Sequence, residues 1–144
     1  MTYLQHPHMR RVYALAYSAF MTLVLVQPSA RPVVGPPAPP GPPTLEREIL
    51  LTSGHIVAFA VLTVLWTWTF VSGVPLRRAL LLAVGIGLTL GLVTELAQIA
   101  VPGRGASVLD ITVNSLATFG TAWLIRLNHK DTKPVKLKAM SSEQ

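Results

Sequence analysis

The sequence predicts an all-α integral membrane bundle of four transmembrane helices, with short loops and one proline-rich outer loop. Three observations carry this. Of 144 residues, 51% are hydrophobic and only 12% charged, against about 25% charged in an average soluble domain. The apolar residues gather in four runs near the length that crosses a bilayer core. Lys and Arg flank those runs instead of forming one patch, so the net charge of +6 reflects positive-inside placement and not a nucleic-acid face. The size suits one compact bundle without a second domain. The absence of cysteine excludes disulfides, thiolate metal sites and cysteine nucleophiles.

Residues 1–27 form an N-terminal tail and the first helix. Its apolar run, 12–26, spans roughly 22 Å at 1.5 Å per residue. That is short for a span, so it must borrow flanking residues or thin the membrane. Arg10 and Arg11 before the run, and Pro28, Ser29 and Ala30 after it, also resemble a signal peptide. Three positions before that cut stands Pro28 where a small residue belongs, which favours an uncleaved anchor.

Residues 28–48 form the outer loop. Eight of the sixteen positions from 28 to 43 are proline, which excludes a helix or a central strand. An extended polyproline-like spacer, at most roughly 50 Å long, is expected. Thr44, Leu45, Glu46, Arg47 and Glu48 then supply the acidic first turn of the second helix.

Residues 49–127 hold the other three apolar runs, at 49–74, 79–101 and 108–127. Each reaches roughly 30 Å or more. Gly87 and Gly91, four apart on the third helix, form a close packing face. A dinucleotide loop is excluded there, since no strand-turn-helix context exists. Pro102, Gly103, Arg104 and Gly105 turn the third helix back into the fourth. Residues 128–144 are a polar, basic tail expected to be disordered.

Orientation follows from the cations. With the N-terminus inside, the inner side holds Arg10, Arg11, Arg77, Arg78, Arg126, Lys130, Lys133, Lys136 and Lys138, and the outer side only Arg31, Arg47 and Arg104. Both termini are therefore expected in the cytoplasm. Tyr13, Trp66, Trp68 and Trp123 fall toward the inner ends of their helices, where an interfacial belt belongs.

Ionisable and amide side chains within an apolar span are costly and mark a functional site. Glu95 and Gln98 are three apart, and Asp110 and Asn114 four apart, so each pair shares a helical face. Helix rise places Glu95 and His55 roughly 9 Å below the outer helix ends, and Asp110 and Asn114 roughly 3–9 Å below. Four polar side chains from three helices thus share one level. Structural roles compete. Glu95 paired with Arg104 or His55 would simply hold the bundle, Asp110 suits the positive end of a helix dipole, and Ser107 suits the cap. Gln98 and Asn114 read as hydrogen-bonding glue between helices, and His55 alone would be a satisfied core histidine. Arg104 is either a solvated turn residue or an outward anion contact.

The order His55, Glu95-x-x-Gln98, Arg104, Asp110-x-x-x-Asn114 on short hydrophobic helices resembles the VanZ-like family of bacterial membrane proteins. The match covers about residues 50–125, and its specific part is 94–114. The family usually shows an aspartate-lysine pair before the histidine and an aromatic, often tyrosine, after it; here those places hold Leu51, Thr52 and Phe59. The glycine expected three residues after the asparagine is Ala117, with Gly120 nearby. The resemblance implies a multi-pass bacterial plasma-membrane protein, by analogy linked to resistance to teicoplanin, a lipidated glycopeptide.

Three functions from different classes are compatible with these residues. The first is an envelope-associated binding or protection protein whose outer-leaflet polar pocket engages a lipidated glycopeptide or a lipid-linked precursor. The second is an enzyme acting on an envelope lipid, with Glu95 or Asp110 as general base, His55 as partner and Arg104 as phosphate clamp. No nucleophile triad or metalloprotease signature favours it, and no cofactor or metal is expected. The third is an oligomeric transporter subunit, which the lack of Gly/Pro-broken helices disfavours. Membrane lipids are expected partners throughout.

Overall fold

A computed structural model describes residues 6–28, 44–101 and 106–131. It contains four helices: α1 (Pro7–Val26), α2 (Leu45–Phe70), α3 (Leu76–Ile99) and α4 (Val108–Asp131). All four are long and apolar enough to cross a membrane. The proline-rich segment, the turn containing Arg104 and the tail beyond 131 lie outside the described residues.

Prolines set several boundaries. Pro7 opens α1 at its first turn, where a missing N–H costs nothing and the fixed φ is already helical. Gln27, directly before Pro28, is extended at ψ 147°, because the proline ring disfavours the helical region for its predecessor. Opening at Pro7 gives α1 20 residues, roughly 30 Å. The apolar run thus borrows flanking residues, as its shortness requires: the helix recruits His8, Arg10 and Arg11. The second and third helices likewise begin earlier than the apolar runs, at Leu45 and Leu76, and α2 closes at Phe70 before the turn to Pro75. At the other end, α4 continues through 128–131, so the first residues assigned to the tail are helical.

Helices α2, α3 and α4 contact one another pairwise, and α1 lies outside them against α2 and α3, with no contact to α4 among the described residues. The most enclosed helix is α3. Of its most apolar window 39% is buried, against 17% for α1. Large apolar side chains such as Leu81, Leu92, Leu116 and Leu124 point outward, which a soluble surface would not sustain over such an area. Several hydroxyls on these helices are satisfied within their own turn: Thr63 Oγ1 donates to the Phe59 carbonyl at 2.8 Å and Ser115 Oγ to the Ile111 carbonyl at 2.7 Å. In an apolar medium that arrangement removes the cost of an unpaired donor.

The first helix is held by an apolar cluster of Met21, Leu25, Phe59 and Leu62 and by polar clasps along its length. Arg10 stacks 4.7 Å over the Trp68 ring and donates to the Trp68 carbonyl at 3.2 Å. Further along, Trp66 Nε1 donates to Ser18 Oγ at 3.1 Å, and Tyr17 OH to the Ala58 carbonyl at 3.1 Å. These contacts fix the register of α1 on α2. They also bring Leu25 to the level of the polar residues of α3.

Candidate functional site

The site grows out of one face of α3. Ala83, Gly87, Gly91, Thr94, Glu95 and Gln98 are its buried residues beyond the first turn, a stripe at three- and four-residue spacing. Its lower part is small, so neighbouring helices approach closely. A Cβ at Gly87 would meet Thr118 Cγ2 at 2.8 Å, and one at Gly91 would lie 3.4 Å from the Phe59 ring and 3.6 Å from Asn114 Cβ. The missing side chain at Gly87 therefore makes room for Thr118 of α4, while a Cβ at Gly91 would lie within ordinary contact distance of Asn114 of α4 and Phe59 of α2. One turn further on, the stripe changes from small to polar.

There the helices exchange hydrogen bonds. His55 Nδ1 of α2 and Asn114 Oδ1 of α4 are 2.9 Å apart. An amide oxygen only accepts, so Nδ1 is the donor in this contact. Glu95, fully buried, accepts the Ser107 backbone N–H on Oε2 at 2.8 Å. Ser107 then caps α4. Its hydroxyl accepts the Asp110 N–H at 3.2 Å and its carbonyl the Ile111 N–H at 3.1 Å. The carboxylate of Glu95 thereby sits at the N-terminal end of α4, where the helix dipole favours negative charge. Gln98 turns elsewhere: Nε2 donates to the Leu25 carbonyl at 2.9 Å, satisfying an acceptor left open at the end of α1.

Among the described residues, two polar atoms of this group are buried without a partner: the acceptor Glu95 Oε1 and the donor Asn114 Nδ2. Buried groups of this kind are rare, since each costs about 1–3 kcal/mol. They are the open valences of the cluster. Beside it, between α1 and α2, a cleft of about 220 Å³ is walled by Tyr17, Phe20, Met21 and Leu50 and bordered by His55 and Leu25.

The structure thus joins His55 to Asn114, Glu95 to the start of α4, and Gln98 to α1. Asp110 enters through its backbone N–H, its half-buried side chain standing in the first turn of α4. Arg104 lies outside the described residues. Among the described residues, no three His, Asp or Glu side chains converge as metal ligands do. No family model, curated protein or solved structure matches the chain.

Three participants escape a reading of the sequence. The Ser107 N–H and the Leu25 carbonyl are main-chain groups without a side-chain signal. The α1–α2 cleft depends on the register of two helices far apart in sequence. Only the hydroxyl role of Ser107, three residues before Asp110, is visible as a cap pattern.

Proposed function

We propose that the chain is a VanZ-like, membrane-embedded binding protein of the bacterial plasma membrane, taking a lipid-tailed ligand at the outer end of the bundle. The observation that carries this is the double position of His55, bonded to Asn114 on one side and bordering the apolar α1–α2 cleft on the other. A pocket for a whole drug-sized molecule measures about 300–1,000 Å³. At about 220 Å³ the cleft suits one hydrocarbon chain, leaving the head group for the polar cluster. The open atoms there are one acceptor, Glu95 Oε1, and one donor, Asn114 Nδ2, which favours a head group that both donates and accepts, such as one carrying hydroxyls or amides. Lipidated glycopeptides and lipid-linked wall precursors carry both parts. Protection against teicoplanin is the physiological outcome this reading proposes.

The test is susceptibility of a teicoplanin-sensitive Gram-positive host expressing wild type or Glu95→Gln at matched membrane levels. Protection by wild type and its loss in the variant is the expected result. If neither protein changes susceptibility despite correct insertion, the resistance role falls.

This reading also places both termini in the cytoplasm and the cluster near the outer surface. The chain has no cysteine, so a single introduced thiol reports unambiguously. Ala106 is exposed beside the start of α4, and it is a better position than Ser107, whose hydroxyl caps the helix. An Ala106→Cys variant should react with an impermeant maleimide on intact cells. Reaction only after lysis would place the cluster on the inner side.

A further inference from the structure

We infer that the opposite end of the bundle is a binding site for an anionic phospholipid, seated between the start of α3 and the end of α4. A cleft of about 630 Å³ opens there. Its walls are largely apolar, with Leu80, Val84 and Phe119 among them, while Arg77, Arg126 and Trp123 also line it. No acidic side chain lines it among the described residues. Two guanidiniums over a hydrocarbon slot complement a phosphate head group carrying an acyl chain.

Two further observations point to a ligand. The first turn of α3 has no side-chain cap, and Leu76 of that turn lines the cleft, so main-chain donors at the positive end of a 24-residue helix add to the cationic field. A second cleft of about 530 Å³, between α2 and α4, shares Leu76 and His129 with the first. Thr67 lines this second cleft, is 4% exposed, and its hydroxyl has no partner. The two cavities flank shared lining residues at the head-group end, one slot for each chain of a diacyl lipid, and the Thr67 hydroxyl offers a donor to an ester carbonyl. The site is distinct from the polar cluster: along α3, Leu76 and Glu95 are nineteen residues apart, roughly 28 Å.

The experiment is native mass spectrometry of the full-length protein in mild detergent, titrated with phosphatidylglycerol or phosphatidylcholine. Wild type should retain phosphatidylglycerol in preference to phosphatidylcholine. Arg77→Gln with Arg126→Gln should bind phosphatidylglycerol about 30-fold more weakly, equivalent to about 1 kcal/mol for each cation. The control pair Arg11→Gln with Arg78→Gln removes the same charge from exposed positions outside the cleft and should keep wild-type affinity. Ala122→Phe keeps both guanidiniums but fills the slot, and should also weaken binding. Equal retention of the two lipids by wild type, an equal loss in the control pair, or undiminished binding by Ala122→Phe would each overturn the assignment.

Discussion

Replacing Gly87 by alanine should destabilise the bundle, while the same change two residues earlier, at Gly85, should not. The added Cβ at Gly87 would lie 2.8 Å from Thr118 Cγ2 and 2.9 Å from Thr118 Oγ1. Both γ atoms of a β-branched, fully buried side chain stand in the way, so turning χ1 exchanges one clash for another. Helix α4 must then move off α3, and overpacking of this kind costs about 1–3 kcal/mol. At Gly85 nothing lies within 4 Å of the new methyl, and the gain in helix propensity, up to about 1 kcal/mol, remains. Reversible unfolding in mixed micelles would measure both. Combining Gly87→Ala with Thr118→Ala should return stability to within about 0.5 kcal/mol of wild type, because the obstructing atoms are gone and the pair is coupled. The Thr118 hydroxyl has no partner, so its removal breaks no hydrogen bond. Equal stability of Gly87→Ala and Gly85→Ala would show that α3 and α4 are not in this contact.

Glu95 should separate folding from function. In Glu95→Leu the Ser107 N–H, held at 2.8 Å by Oε2, loses its acceptor inside the bundle, at a cost of about 1–3 kcal/mol. In Glu95→Gln an amide oxygen can still take that N–H. The open atom at the Oε1 position then becomes a donor, and the negative charge beside the α4 dipole is lost. The glutamine variant keeps an oxygen for the Ser107 N–H, so it should stay closer to wild type in stability than the leucine variant. Ligand binding at the cluster should fall in both. Matched unfolding and binding measurements on the two variants check this. A glutamine variant as unstable as the leucine variant would mean that the charge itself holds α4 in place.

Much of the site was legible because polar residues are conspicuous in an apolar chain. The spacing of Glu95 and Gln98 puts them on the buried face of α3 with Gly87 and Gly91, and simple helix rise brings His55 and Asn114 to one level. Their partners were less visible. Gln98 reads as hydrogen-bonding glue between helices without a named partner, and that partner is the Leu25 carbonyl of α1. The Oε2 of Glu95 takes a backbone N–H, a partner that no side-chain pattern signals. Such main-chain groups look alike at every position, so no residue type announces them.

The boundary of α1 shows the same division. Hydropathy counts only the apolar run, so it stops the helix short of Arg10 and Arg11. The helix continues because Arg10 lays its guanidinium over Trp68 and donates to that residue's carbonyl, keeping the charged head near the helix end while its stem lies on apolar surface.

By itself the sequence determined the solvent and the architecture: four apolar lengths that match a bilayer, and prolines that end helices through steric restriction of their neighbours. Those are local or one-dimensional properties. Tertiary structure alone decided which polar atoms meet and which stay open, because that depends on register between helices. Between α3 and α4 the register is set at Gly87, whose bare backbone admits Thr118, and at α1 by the clasps from Tyr17 to Ala58 and from Arg10 to Trp68.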